Sequence, residues 1–495
     1  MVPYNAFSSF ASFFCCFKTL KYNKLNNVDL FMNTSFSFPA GLKAEKKILF
    51  GWGRTNPANC QVLKPESVEQ LQELVRGAPP RSLIARGLGR SYGDAAQLNE
   101  GTVIELPAFD GIVLDPEAKL ITAGSGVSFD QILRVIVPKG FFLPVTPGTR
   151  NVTVGGAIAA DVHGKNHHLD GSFGSHVLRL KIVDGNGDLR ELSPMGGSID
   201  ANAELFWATV GGMGSTGIIV EATFSLISIS SSLISVDTSR YENIDSLMSA
   251  MIDADEKYRY SVAWVDSLDK NGRGVLTCGD HAAFSDLRKE EKNNPFFYDP
   301  KALASAPRFF PNGLLNKLTV MAFNEAWYRK APKDLKGELQ TISRFFYPLD
   351  GISLWNRIYG PAGFLQYQFA VPDKAAYLVP RILQALRQAG VPSFLTVLKR
   401  LGKSNPSPLS FPIPGWTLAT DVPASVPGVY DLLDGLDEEI AEAGGRLYLA
   451  KDSRQSAEAF KRCCQTHEIF SSHAKINDCN KTFNSDLLDR IGIHD

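Results

Sequence analysis

The chain has 495 residues, with 51 lysines and arginines against 52 aspartates and glutamates, a formal net charge of −1. That length supports two or three domains with substantial cores. The balanced charge gives no global field for a polyanion, which argues against a nucleic-acid partner while permitting a local basic pocket for a single phosphate.

Residues 1–45 read as a poorly ordered extension ahead of the fold. The run 2–17 is uncharged and rich in Phe and Ser, and Lys18, Lys21 and Lys24 follow it. A secretory signal needs its positive charge first and a small-residue cleavage site after, so the order is reversed. The run is also too short and too Ser-rich to span a bilayer, which limits any membrane contact to a peripheral one through exposed Phe and Lys. These features suit a cytoplasmic or peripherally membrane-associated protein and leave a cell-envelope face open. The seven cysteines, Cys15, Cys16, Cys60, Cys278, Cys463, Cys464 and Cys479, are an odd set with two adjacent pairs and no metal-ligand spacing. They fit a reduced compartment without a structural disulfide.

From 46 to 226 short apolar strands alternate with helical stretches. The spacing predicts helices over 68–75 and 129–137 and strands over 102–106 and 120–123. After the strand-like 82–85 comes the glycine loop Arg86-Gly-Leu-Gly-Arg-Ser-Tyr-Gly-Asp94, whose donors suit a pyrophosphate. It does not continue as an amphipathic helix, which disfavours a dinucleotide fingerprint for nicotinamide. Residues 147–177 form a second loop dense in Gly, His and small residues, including Gly148, Gly155, Gly156, Gly164, Gly171 and Gly174. Backbone of this kind can bring N–H groups against a bound anion or ring edge. A hairpin over 178–192, a helix over 203–208, the turn Gly211–Gly214 and a strand over 218–226 complete this unit.

Residues 227–445 change character, with many aromatics, strands over 261–265 and 365–371, and a helix over 375–388. They read as a separate substrate domain. Within it 286–294 is a charged run expected to be a solvated loop, while 405–414 is Pro-rich but too apolar for a linker. Residues 446–495 would return to the first domain.

Several residues could carry chemistry. His163 and His167 are four apart, but Gly164 between them and the missing third ligand argue against a metal. Histidines 167, 168 and 176 also read as structural. Lys451, in Lys-Asp-Ser-Arg, reads on its own as part of a solvated charge run. Gln366 and Gln368 share one face of a strand, either a polar outer face or a pair of amides for sugar hydroxyls. Lys399 reads alone as a surface lysine or as a phosphate contact.

Seven blocks carry a resemblance: GWGRTNP (51–57), ARGLGRSYGD (85–94), PGTRNVTVGGAIAADVHGKNHH (147–168), AELFWATVGGMGSTGII (203–219), YGPAGFLQYQF (359–369), PLSFPIPGW (408–416) and GGRLYLAKDSR (444–454). In this order they resemble FAD-dependent flavoproteins of the vanillyl-alcohol oxidase type, and among them the decaprenylphosphoryl-β-D-ribose 2-oxidase family. The resemblance implies an α+β fold: a two-subdomain FAD-binding domain over 46–226, a mixed α/β substrate domain with an antiparallel sheet over 227–445, and a returning segment over 446–495. It implies FAD contacts at Ala85, Arg86, Gly87, Leu88, Gly89, Arg90, Ser91, Tyr92, Gly93, Asp94 and Ala95. Further contacts fall at Gly148, Thr149, Thr153, Val154, Gly155 and Gly156, at Ala160, Asp161, Val162 and His163, and at Ile219 and Tyr448. The first loop has no histidine, commonly the covalent attachment residue of such flavoproteins, so FAD is expected to be non-covalent.

The resemblance also places Lys451 and His163 at the catalytic centre, with Lys165, Gln366, Gln368, Lys399 and Lys451 toward substrate. A lysine at that place can stabilise charge on the reduced flavin as an ammonium or accept a proton as a desolvated amine. The implied activity is oxidation of the ribose 2-hydroxyl of a polyprenyl-phosphoryl pentose to a 2-keto sugar. An NAD(P)H-dependent keto-reductase partner would complete epimerisation to arabinose for cell-wall arabinan. Where the family commonly continues Gly-Trp with Asn-Ile-Cys, this chain has Thr417-Leu418-Ala419, so that amide and thiol are missing. A soluble alditol or sugar-lactone oxidase, and a flavin-binding subunit without turnover, are the alternatives.

Overall fold

The computed structural model describes residues 38–39, 41–195, 201–307, 313–478 and 480–494. The Phe-rich run with its lysines, Cys15, Cys16 and Cys479 lie outside the described residues. Cys60, Cys278, Cys463 and Cys464 are buried free thiols.

Two sheets form the flavin-binding side. The first has the order Glu45–Leu49, Ala58–Leu63, Thr102–Glu105, Leu83–Arg86, antiparallel in its first pair and parallel in the others. Parallel neighbours need a crossover, which here includes helix Val68–Gly77. Ser67 caps it by accepting from the Gln70 amide, and Leu71, Leu74 and Val75 make its buried stripe. The second sheet is wholly antiparallel, in the order Ile112–Asp115, Leu120–Gly124, Ile218–Ser225, Val177–Val183, Leu189–Leu192. Helix Phe129–Ile136 packs Phe129, Ile132, Leu133 and Ile136 into the same core as this sheet, and a reciprocal Ser128–Gln131 capping box fixes its start.

The third sheet has eight antiparallel strands: Asp334–Thr341, Leu233–Tyr241, Gly274–His281, Tyr260–Val265, Thr396–Leu401, Gly415–Pro423, Phe364–Pro372 and Arg446–Leu447. Strand Phe364–Pro372 is buried on both faces. Leu365, Tyr367, Phe369 and Val371 join the core beneath helices Leu378–Gln388 and Val429–Glu442. Gln366 and Gln368 point the opposite way, so burial there covers a polar face.

Three expectations are corrected. The helix expected over 375–388 begins at Leu378, after a 3-10 turn Asp373–Ala375, with Pro380 in the first turn, where its missing N–H costs nothing. The charged run 286–294 contains a short exposed helix, Lys289–Lys292, started by a reciprocal Arg288–Glu291 pair. The segment after 445 still supplies an edge strand, Arg446–Leu447, to the large sheet before the chain crosses to the flavin side, where Phe483 bridges Leu83.

Candidate active site

The first loop follows strand Leu83–Arg86 and is built from main chain. Gly87 and Leu88 are exposed at its tip, and the amides of Leu88, Gly89, Arg90 and Ser91 make no hydrogen bond within the described protein. Gly89 takes φ of +62°, a conformation that costs glycine nothing. The loop's far end is clamped from both sides. Trp52 and Gly53 donate to the carbonyls of Ser91 and Tyr92, and the Tyr92 amide donates to the Ala450 carbonyl. A Cβ on Gly93 would come within 1.9 Å of the Asp452 carbonyl oxygen, so only glycine lets this loop meet the segment that carries Lys451.

Several side chains of the expected FAD set have structural partners instead. Arg86 donates to the carbonyls of Phe50 and Ala96 at 2.8 and 2.7 Å, closing its own loop. Asp94 accepts a bidentate pair from Arg490, both bonds at 2.8 Å. Arg490 also donates to Asp452 at 2.7 Å and so ties the two loops together. Thr149 donates to Asp350 at 2.7 Å. The amides of Val154 and Gly155 are taken by the carbonyls of Val127 and Ser125, and that of Gly156 by its Thr153 cap. Arg90 lies over the Trp52 ring, 4.0 Å from its centroid.

The second loop turns at Asp161, which is fully buried and held at φ of +39°. Its carboxylate accepts from Ser172, the Gly174 amide, Asn405 and Ser410 at 2.7, 2.9, 2.7 and 2.5 Å. Asp161 therefore fastens the Pro-rich segment to the second loop. Beside it Val162 is buried, and the Tyr448 hydroxyl donates to the Ala160 carbonyl at 2.7 Å while its ring stacks on Phe411. Ile219 is buried in strand Ile218–Ser225, and Ala85 and Ala95 pack into neighbouring apolar clusters.

His163 is buried against Tyr448 and Phe411, and Gln368 Nε2 lies 3.0 Å from its Nε2. An amide nitrogen only donates, so His163 Nε2 accepts and the proton sits on Nδ1. That Nδ1 is enclosed and has no partner among the described residues, a donor available to a ligand. Burial first, then Lys399, His167 and Lys451, hold the imidazole well below its usual range, hence neutral. His167 and His168 are engaged elsewhere: His167 Nδ1 accepts from the Gly402 amide and His168 Nε2 meets the Tyr258 carbonyl. Both border an open groove of about 530 Å³ behind the pocket, together with Lys403 and Asn405. Among the described residues no three His, Cys, Asp or Glu side chains converge as a metal site.

The large sheet supplies the facing wall. Gln368 donates to His163 and also to Thr417 at 3.2 Å. Gln366 donates to Asp421 at 2.6 Å, which engages part of the amide expected to face sugar hydroxyls. Lys451 stands on the turn that follows strand Arg446–Leu447, its amide bonded to the Tyr448 carbonyl and its Nζ 3.9 Å from the centre of the Tyr92 ring.

Lys165, Lys399 and Lys451 each retain some solvent-accessible surface while protein crowds their ammonium groups. Burial lowers Lys399 to about 8. Burial and Lys399 together lower Lys165 to about 7. Burial also takes Lys451 to about 7, with Asp421 opposing and Lys399 adding. Lys165 Nζ donates to the Phe345 carbonyl and lies 4.1 Å from that ring's centre, so its end is anchored on helix Ile342–Phe346. Asp421, Tyr359 and Arg490 complete the site together with Thr417, and sequence reasoning, which named Thr417 only as a departure from the family pattern, missed the other three. The alternation that placed Gln366 and Gln368 on one face would also have placed Thr417 and Asp421 on one face of strand Gly415–Pro423.

The donor set fits FAD: an open main-chain loop for phosphate, a buried neutral histidine with a spare N–H, and a group of crowded lysines able to balance negative charge. Residues 60–193 match the FAD binding domain family. The chain is 41% identical over 453 residues to decaprenylphosphoryl-beta-D-ribose oxidase of Mycolicibacterium smegmatis, an alignment covering 90% of this chain and 97% of that one. It is 33% identical over 379 residues to an uncharacterized protein in the mprA 5' region of Streptomyces coelicolor, covering 74% and 100%. Cytokinin dehydrogenase 2 of Arabidopsis thaliana is 25% identical over 169 residues, 33% of each chain. Fold and site thus define an FAD-dependent oxidoreductase with a PCMH-type flavin domain. The chain belongs to the decaprenylphosphoryl-β-D-ribose oxidase family.

Proposed function

We propose that this oxidoreductase converts the ribose 2-hydroxyl of decaprenylphosphoryl-β-D-ribose, or a similar polyprenyl-phosphoryl pentose, to the 2-keto sugar. An NAD(P)H-dependent keto-reductase would then complete epimerisation to the arabinose form. The observation that carries this reading is the group of three lysines, Lys165, Lys399 and Lys451, crowded by protein beside a neutral His163. Desolvated cations held near one another are costly without an anionic ligand between them. A phosphoryl group at Lys399 supplies one counter-charge, while ribose, ribitol and a lactone supply none.

FAD, held by the main chain of the first loop and the small residues of the second without a covalent bond, supplies the hydride acceptor. The protein supplies the proton acceptor and the orientation. Lys451 enters as the neutral amine, takes the proton from the 2-hydroxyl and becomes an ammonium, while the C2–H hydride would go to the bound FAD. His163 Nδ1–H donates to the bound ligand, and Gln368 locks that tautomer. Because the amine form is required, flavin reduction should rise as pH passes about 7, the value to which Lys451 is lowered.

The test is anaerobic stopped-flow reduction of the bound flavin. A short-chain prenyl-phosphoryl riboside should reduce it far faster than ribose, ribitol or an aldonolactone. Equal or faster reduction by the free sugars would replace this reading with a soluble alditol or lactone oxidase. No reduction by any of them would leave a flavin-binding subunit.

A further inference from the structure

One carboxyl stands among the pocket's cations. Asp421 lies on strand Gly415–Pro423 directly across from Gln366 in the antiparallel register, with none of its surface exposed. One oxygen accepts from Gln366 Nε2 at 2.6 Å and the other from the Tyr359 hydroxyl at 2.9 Å. Tyr359 is itself fixed, its ring stacked on Phe364 with centroids 4.0 Å apart. Phe364 in turn meets the Tyr92 ring edge-on, centroids 5.4 Å apart, and Lys451 Nζ rests over that ring, while Gln366 and Lys451 line one small cavity. Asp421, Gln366, Tyr92 and Lys451 therefore form one cluster drawn from four separate parts of the chain.

We propose that Asp421 is a positioning residue for Lys451: a buried carboxyl, anchored by Tyr359 and Gln366 in the same cluster, whose charge governs when the lysine's amine can take the substrate's proton. This rests on the reading of Lys451 as proton acceptor.

The groups facing Lys451 are Asp421 and Lys399 from adjacent strands, His163 from the second loop and Tyr92 from the first. Asp452, next in sequence, is already paired with Arg490. Asp421 favours the ammonium and Lys399 opposes it. Burial lifts Asp421 to about 7, while the Gln366 and Tyr359 donors favour its ionised form. Without the carboxylate, burial and Lys399 act unopposed, so Lys451 should lose its proton at lower pH.

The experiment is the pH profile of flavin reduction by a short-chain prenyl-phosphoryl riboside in the FAD-loaded full chain. In Asp421→Asn the acid limb should move toward acid by on the order of one pH unit or more. Tyr359→Phe, which removes one donor from the ionised carboxyl but keeps the stacked ring, should move it the same way by less. Bound-flavin absorbance and melting temperature report any loss of fold. A purely structural Asp421 would lower flavin content or melting temperature with the limb unmoved. A limb at the wild-type pH in both variants overturns the proposal. A wild-type rate in Lys451→Met would instead sink the reading of Lys451 itself, so the two failures are distinguishable.

Discussion

The two walls of the site are made in opposite ways. The flavin wall is backbone: the first loop offers free amides within a few residues of one another, and the second is shaped by small residues around Asp161. The substrate wall is side chain: Gln366, Gln368, Lys399, Thr417, Asp421 and Lys451 come from four strands or turns of an eight-stranded sheet. The first kind of wall can grip a constant cofactor by features that any residue's backbone provides. The second can alter its ligand by changing single side chains. Close approach of Gly93 to Asp452, and Arg490 bridging Asp94 and Asp452, set the distance between the walls.

If the flavin wall holds its cofactor only by non-covalent contacts, acid precipitation should move all of the yellow chromophore to the supernatant. Colour remaining with the pellet would break the comparison outright. Chemistry should reside in the other wall: Lys451→Met is expected to keep FAD and melting temperature while slowing flavin reduction on the order of 10²-fold or more. Single-turnover rates with substrate in excess decide this.

The junction between the walls is tested by Gly93→Ala. The new methyl group would meet the Asp452 carbonyl, so stability should fall by about 1–3 kcal/mol through overpacking, with FAD retained less tightly. Thermal melts with and without added FAD measure it, and an unchanged melting temperature would mean that the loops separate freely. The smallest effect belongs to ligand selectivity. Lys399→Ala should weaken apparent binding of the phosphorylated substrate by roughly 10-fold, the loss of one charge-assisted contact. Saturation curves with phosphorylated and free sugars compare the two, and equal weakening of both would remove Lys399 from phosphate recognition.

The backbone wall was the more legible of the two because its determinants are local. Glycine spacing and small residues announce a loop that approaches a ligand whatever the rest of the chain does, and period-two alternation put Gln366 and Gln368 on one face before any fold was known. Local sequence could not assign partners. Asp94, Arg86 and Asp161 look like ligand contacts in a glycine loop, yet their charges are consumed by Arg490, by two carbonyls and by the 405–410 segment. Asp421 carried no motif at all. Its role comes from strand pairing that sets it opposite Gln366, 55 residues away, and from burial that makes an unpartnered carboxylate there untenable. Sequence fixed which residues could bond; only the tertiary structure, by excluding water and choosing neighbours, decided which of them did.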